Sequence, residues 1–159
     1  MILRPDKNLK DIYEITPEML KDMGIHAMLL DLDSTTMQSK TGVFTQETIE
    51  WFEKFNKDFY MAIVTNNNKQ EYIEKVTLGA PCKVYWGAKK PLPKTLKKII
   101  KGLFMEPKHV VIVGDRPLTD ILAGKLAGTK TILVGSINKK ENIPTKLVRF
   151  LERLTIFPF

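Results

Sequence analysis

The chain has little of what a disulfide-bonded or membrane-spanning protein needs. Its 159 residues include one cysteine, Cys82, so an intrachain disulfide and a cluster of thiolate metal ligands are both excluded. The N-terminus lacks the apolar segment of a signal peptide, and no run approaches the roughly 20 apolar residues that span a bilayer. We therefore expect a cytoplasmic protein that meets a membrane only peripherally.

Negative charge is also in short supply. The chain has 25 lysine and arginine residues against 18 aspartate and glutamate residues, a net charge of +7 and a pI of about 9.4. This excess favours an anionic partner, such as a nucleic acid, an acidic lipid or a phosphorylated substrate, without choosing among them. The length and the 43% hydrophobic content predict one globular domain over residues 1–159.

Apolar runs alternate with helical patterns along the chain. Five segments are predicted as strands: "HAMLLDLD", "FYMAIVTNN", "CKVYW", "HVVIVGD" and "KTILVG". Helices are predicted after Thr16, Thr45, Asn67 and Pro93, over "LTDILAGKLAG", and over "PTKLVRFLERL". This order is typical of an α/β fold, a three-layer doubly wound sandwich around a mostly parallel five-stranded sheet.

Chemically active side chains follow the predicted strands. In chain order they are Asp31, Asp33, Thr65, Asn66, Lys90, Asp115 and Asp120. Ligands of such folds bind outside the carboxyl ends of the strands, so we expect these side chains to meet at one edge of the sheet.

This set of residue types suits phosphoryl transfer. Magnesium takes carboxylate oxygens as ligands, and a carboxylate can attack phosphorus to give an aspartyl-phosphate. A second carboxylate can move the proton, while a hydroxyl, backbone N–H groups and a lysine hold the phosphate. A receiver domain uses similar parts, but its phosphorylated aspartate stands on the third strand, and "CKVYW" has no aspartate.

The order of four motifs, "DLDST", "IVTNNN", "AKKPL" and "VGDRPLTD", resembles the haloacid dehalogenase (HAD) superfamily of phosphatases. "IYEITPEMLKDMGIHAMLLDLD" and "TDILAGKLAGTKTILV" extend the resemblance to the YqeG-like group of subfamily IIIA, over roughly residues 4 to 136. That group is similar to phosphatidylglycerophosphate phosphatases. The resemblance implies a HAD-like Rossmannoid fold. The short gaps between motifs leave no room for a large cap domain, which suits a large substrate.

The resemblance also implies a role for each site residue. Asp31 would be the nucleophile, and Asp33 the general acid/base, with its backbone carbonyl on magnesium. Thr65, the Asn66 backbone and Lys90 would bind the phosphate. Asp115 would bind Mg²⁺ directly, and Asp120 directly or through a water.

Two details are less settled by the pattern. Lys89 is a rival for the lysine role, although the Lys-Pro adjacency favours Lys90. Ser34 and Thr36 stand where the family commonly has asparagine and an apolar residue, and we interpret them as turn residues.

Four residues outside the motifs have mainly structural interpretations. His26 and His109 each precede a strand, on the side away from the site. For Trp86 we expect core packing, and for Cys82 a small core residue.

Basic residues also cluster on predicted helices. Lys94, Lys97, Lys98 and Lys101 share one helix face, either as a plain solvated surface or as a contact for an anionic membrane near the site. The last helix adds Lys146, Arg149 and Arg153, and the chain ends in apolar "LTIFPF".

The sequence therefore predicts a Mg²⁺-dependent phosphomonoester hydrolase, with phosphatidylglycerophosphate as the substrate that the resemblance suggests. The alternative is a non-catalytic HAD-fold binding or assembly protein, linked to RNA or the ribosome.

Overall fold

The computed structural model describes residues 3–138, which form a six-stranded parallel sheet in the order β1-β6-β5-β2-β3-β4. The strands are β1 Lys7–Leu9, β2 Ala27–Leu30, β3 Tyr60–Val64, β4 Lys83–Tyr85, β5 Val110–Gly114 and β6 Lys130–Val134. The predicted α/β fold with its parallel sheet is confirmed. The prediction of five strands missed β1, because "KNL" is short, polar and largely exposed, and pairs only at the edge with β6.

Five α-helices connect these strands: α1 Pro17–Asp22, α2 Gln46–Glu53, α3 Gln70–Gly79, α4 Lys94–Gly102 and α5 Leu122–Ala127. Short 3₁₀ turns cover Ile12–Glu14 and Pro107–His109, and a π-helical turn covers Pro117–Ile121. Helices α1 and α2 begin directly after Thr16 and Thr45, as predicted, and both threonines cap them with their hydroxyls. The predicted start of a helix directly after Asn67 is wrong, since Lys69 is the residue that precedes α3. The Asn67 side chain instead accepts a hydrogen bond from the Lys69 N–H, at 3.0 Å, in a turn before the helix.

Strand alternation creates a separate apolar core on each face of the sheet. In β2 every residue is buried, and Met28 and Leu30 face one core while Ala27 and Leu29 face the other. The first core packs against α1, α2 and α3, largely through Trp51, Phe52 and Phe55 of α2 and the residues that follow it. The second core packs against α4 and α5. The result is three layers, with β2 at the centre between β3 and β5.

Three predictions away from the strand ends have clear outcomes. Cys82 is half-buried against the first core, as expected, and burial raises the pKa of its thiol to about 12. The His109 Nδ1–H donates a 2.8 Å hydrogen bond to the Gly24 carbonyl, and the ring contacts that of His26, at the amino ends of the strands. Trp86 does not pack in the core, because it follows the edge strand β4 and is 53% exposed.

Several predictions fall on the C-terminal segment. The helix over "PTKLVRFLERL", its basic residues and the "LTIFPF" tail lie outside the described residues. Within residues 3–138, none of the helices has the length and apolar character required to cross a bilayer.

Candidate active site

Strand β2 delivers Asp31 to the carboxyl edge of the sheet. The Asp31 N–H still donates to the Val113 carbonyl of β5, at 2.9 Å, so its backbone continues the sheet. The chain then makes one tight turn in which the Leu32 carbonyl accepts from the N–H groups of Thr35, Thr36 and Met37. Leu32 is fully buried in the first core, and its packing there holds this turn in place.

Three carboxylates converge where β2 and β5 end. Each of Asp31, Asp115 and Asp120 offers an oxygen within 4.8 Å of the other two. Asp115 and Asp120 are each 1% exposed, whereas Asp31 keeps part of its side chain open to solvent. Gly114 makes this approach feasible, because a Cβ atom on it would overlap the side chain of Asp120.

Lys90 is the cation of this cluster. Its Nζ lies 2.8 Å from Asp31 Oδ1 and 2.7 Å from Asp120 Oδ1, and its side chain is buried. Burial alone lowers the pKa of a lysine, but the charges of Asp120 and Asp31 outweigh burial and raise the pKa of Lys90 above its usual value. The neighbouring Lys89 is exposed, so of these two lysines it is Lys90 that enters the cluster.

Thr35 joins two of the carboxylates. Its hydroxyl lies 3.1 Å from Asp115 Oδ1 and 3.4 Å from Asp31 Oδ2, so it holds the ends of β5 and β2 at a fixed separation. Thr36 turns the other way, and its hydroxyl donates to the carbonyls of Asp31 and Leu32. The two adjacent threonines therefore have different tasks, one at the carboxylates and one at the backbone.

The cluster has a surplus of negative charge. When Asp31, Asp115, Asp120 and Lys90 are all ionised, their combined charge is −2. Burial and the charge of Asp31 raise the pKa of Asp120 to about 6, against the opposing effect of Lys90. Carboxylate oxygens are the ligands that Mg²⁺ prefers, and a divalent cation would cancel this surplus. The donor set therefore fits Mg²⁺.

Asp33 lies outside this cluster, although it is only two residues from Asp31. Its Oδ1 accepts a 2.6 Å hydrogen bond from the Tyr72 hydroxyl of α3 and a 3.1 Å bond from the Lys40 N–H. Ser34, which follows it, is buried with a φ of 70° and turns the chain sharply. Residues two apart in a strand point to the same face, so it is the turn after Leu32 that takes the two aspartates into different surroundings.

Strand β3 brings Thr65 and Asn66 to the same edge. Thr65 is buried, and its hydroxyl accepts from the Asn67 N–H at 3.1 Å. Asn66 has a contact that the sequence did not reveal. Its side chain accepts from the Lys90 N–H at 2.7 Å and donates to the Lys90 carbonyl at 2.9 Å. Asn66 therefore fixes the backbone that carries the buried lysine.

The segment after β6 also reaches the turn that follows Asp33, a contact for which the sequence contained no signal. The Ile137 N–H donates to the Ser34 carbonyl at 2.9 Å. The Asn138 side chain accepts from the Ser39 N–H at 2.8 Å and donates to the Ser34 hydroxyl at 2.7 Å. Two sides of the loop are thus held, by α3 and by residues 137–138.

Comparison with known proteins shows the family to which the chain belongs. A sequence profile described as HAD-hydrolase-like matches residues 87–147. The probable phosphatase YqeG of Bacillus subtilis (strain 168) is 30% identical over 151 residues, which cover 94% of this chain and 87% of the relative. The chain belongs to the HAD-like family of phosphatases. Within this family, the phosphoglycolate phosphatase of Aquifex aeolicus (strain VF5) is 34% identical over 103 residues, 56% of this chain and 46% of that protein.

Solved structures share the HAD-like fold. An uncharacterized protein from Listeria monocytogenes serotype 4b superimposes with a TM-score of 0.61 at 16% identity, covering 74% of this chain and 85% of that one. A predicted phosphoglycolate phosphatase from Haemophilus somnus 129pt gives a TM-score of 0.50 at 14% identity, covering 83% and 98%. At these identities the likeness concerns the fold.

Proposed function

We propose that this phosphatase is a Mg²⁺-dependent phosphomonoester hydrolase that works through an aspartyl-phosphate on Asp31. One observation carries the proposal: a buried lysine pairs with two of three clustered carboxylates, and each carboxylate offers an oxygen within 4.8 Å of the other two. Carboxylate oxygens gathered this closely beside a lysine have an evident use where a divalent cation and a phosphate meet. Phosphatases of small phosphate monoesters among the relatives support the reaction class.

In the first step, an Asp31 oxygen attacks phosphorus as the bond from phosphorus to the leaving oxygen breaks, and Asp33 gives that oxygen its proton. In the second step, Asp33 takes a proton from water as the water oxygen attacks phosphorus, and phosphate leaves Asp31. Lys90, the Thr65 hydroxyl and the Asn66 N–H neutralise and orient the phosphate oxygens. Mg²⁺, held by Asp31, Asp115 and Asp120 and by the Asp33 carbonyl, would offset the negative charge of the phosphate.

For the substrate we propose phosphatidylglycerophosphate or another large anionic phosphate. Three exposed apolar side chains support this choice, since each stands in a segment that follows a strand at the carboxyl edge of the sheet. They are Val43, Leu92 and Leu118, which are 57%, 60% and 43% exposed. Leu92 follows Lys90 by two residues, and Leu118 lies between Asp115 and Asp120. An apolar rim beside a site that holds a buried lysine and can bind a metal suits a molecule with a phosphate and an apolar part.

The exposed lysines of α4 support the same substrate class. Lys94, Lys97, Lys98 and Lys101 are all exposed, while Leu96, Ile99 and Ile100 face the core. Because α4 begins four residues after Lys90, an anionic membrane bound on this face would lie near the site. We expect that reversing Lys94, Lys97 and Lys101 to glutamate abolishes co-sedimentation with anionic vesicles. Reversing Lys54, Lys57 and Lys69 is the control; equal losses in both variants would remove this surface from the proposal.

The activity itself is tested by phosphate release. Wild type and Asp31→Asn are compared on an aryl phosphate and on phosphatidylglycerophosphate, each with Mg²⁺ and with a chelator. We expect turnover that needs Mg²⁺ and falls by about 10⁴-fold or more in Asp31→Asn, since the nucleophile is lost. The exposed Asp58→Asn is the matched control. No turnover by wild type, or an undiminished Asp31→Asn, would favour a non-catalytic binding or assembly protein instead.

A further inference from the structure

A tyrosine on helix α3 contacts the aspartate that moves the proton. The Tyr72 hydroxyl donates a short hydrogen bond of 2.6 Å to Asp33 Oδ1. Burial and the hydrogen bond to Asp33 raise the pKa of Tyr72, so the hydroxyl keeps its proton and acts as a donor. A 3.5 Å contact of the same hydroxyl with Met37 Sδ seats the ring against the turn after Asp31.

Both hydrogen bonds of the Asp33 carboxylate that are formed within residues 3–138 end on one oxygen. Oδ1 accepts from the Tyr72 hydroxyl and from the Lys40 N–H, at 2.6 Å and 3.1 Å. Two donors on Oδ1 fix the rotation of the carboxyl group about its last bond. Oδ2 is thereby kept at a defined orientation for a proton transfer.

Helix α3 supports this arrangement at a second point. Lys75, one turn beyond Tyr72, donates from Nζ to the Thr41 carbonyl at 3.0 Å. Its side chain also covers Gly42 so closely that a Cβ atom there would lie 2.9 Å from Lys75 Cδ. The loop from Asp33 to Gly42 is therefore fastened to the same helix that carries Tyr72, so the tyrosine and its acceptor keep a fixed relation.

We propose that Tyr72 is a positioning residue that orients Asp33 for protonation of the leaving oxygen. This inference rests on the proposed phosphatase function and adds a residue outside the four motifs. A general acid works only when its proton is held within hydrogen-bond reach of the accepting atom, and small displacements cost large factors in rate. Tyr72 touches Asp33 rather than the substrate, so its effect passes through the carboxyl group.

The leaving group provides the test, because only a strongly basic leaving oxygen needs a proton. The quantity compared is kcat/KM, which reports the steps up to phosphoryl transfer to Asp31. It is measured for Tyr72→Phe and for wild type, on an alkyl phosphate and on p-nitrophenyl phosphate. We expect a fall of about tenfold on the alkyl phosphate and less than about twofold on p-nitrophenyl phosphate. Tyr13→Phe is the matched control, since it loses a 2.8 Å hydrogen bond between the 3₁₀ turn that precedes α1 and Thr48 of α2.

The same substitution made in the Asp33→Asn variant separates the positioning of Asp33 from a general structural effect. In Asp33→Asn, adding Tyr72→Phe should change kcat/KM on the alkyl phosphate by less than about twofold, because the group it orients is gone. Thermal unfolding without Mg²⁺ checks that Tyr72→Phe and Tyr13→Phe lose similar stability. Equal losses on both substrates, no loss on either, or a full further loss in Asp33→Asn overturn the inference. Inactivity of wild type on both substrates overturns the phosphatase proposal and this inference with it.

Discussion

Asp31 of the carboxylate cluster and the loop from Asp33 to Gly42 are adjacent in the chain, but different kinds of contact hold the cluster and the loop in place. The cluster is buried, and its contacts are ion pairs of 2.7 and 2.8 Å to Lys90. The loop is partly exposed, and its contacts are neutral or singly charged hydrogen bonds with Tyr72, Lys75 and Asn138. The cluster brings charged groups together, whereas the contacts of the loop fix the orientation of the Asp33 carboxylate.

This difference teaches how one short segment can supply two carboxylates with separate properties. Asp31 lies among two other acids and a lysine, so its surroundings favour a cation and an electrophile. Asp33 lies against a tyrosine hydroxyl and a backbone N–H, in surroundings suited to proton transfer. Identical groups in different environments are a general way to divide acid/base and nucleophilic tasks.

The largest expected effect in this comparison comes from removing the buried cation. Lys90→Met leaves three clustered carboxylates without their lysine, so the free energy of unfolding should fall by about 3 kcal/mol without Mg²⁺. Phosphatase kcat/KM should fall by about 10³-fold, because the phosphate loses its cation. The measurements are chemical denaturation and phosphate release.

Lys89→Met is the matched control for this change, since Lys89 is adjacent, exposed and outside the ion pairs of the cluster. We expect activity within about twofold of wild type and stability within about 0.5 kcal/mol. If Lys89→Met were the more damaging substitution, the assignment of the lysine role to Lys90 would be wrong.

An effect of intermediate size is expected from Asp120→Asn. The substitution should stabilise the metal-free protein but weaken the binding of Mg²⁺. The folded pKa of Asp120 is raised to about 6 by burial and by Asp31, so the metal-free protein loses stability as pH rises from about 4 to 6. Asparagine removes that ionisation, so metal-free Asp120→Asn should be more stable at pH 7 by about 1–3 kcal/mol.

In the same variant, Mg²⁺ should raise the melting temperature less than it does in wild type, because one ligand is missing. Thermal unfolding at pH 4 and pH 7, with Mg²⁺ and with a chelator, measures both effects. A variant that is less stable than wild type at pH 7 without metal would contradict the charge surplus inferred for the cluster.

The smallest effect is expected on the loop side. Asn138→Ala removes the hydrogen bonds to Ser39 and Ser34, at a cost of about 1 kcal/mol. Amide exchange at Ser39 should accelerate, while exchange in β2 stays unchanged. The exposed Asn68→Ala is the control, and similar exchange in both variants would mean that residues 137–138 do not hold the loop.

Much of the fold could be predicted from local patterns. Buried parallel strands are apolar throughout, so β2, β3, β5 and β6 stand out in the sequence. Strand β1 could not be found this way, because its three residues are mostly exposed and it exists only through pairing with β6. Trp86 was misplaced for a related reason, since the end of an edge strand looks apolar in sequence but faces solvent.

For the candidate site, too, some features could be predicted from the sequence and others could not. The sequence alone determined which acids, which threonine and which lysine reach the carboxyl edge, because each follows a strand and parallel strands have their carboxyl ends at one edge of the sheet. The tertiary structure decided which of them touch: Lys90 with Asp31 and Asp120, Asn66 with the Lys90 backbone, and Tyr72 with Asp33. These contacts depend on how α3, the Lys90 loop and the strand ends pack in space. The spacing of residues along the chain does not determine that packing, so these contacts form only when the two cores bring the elements together.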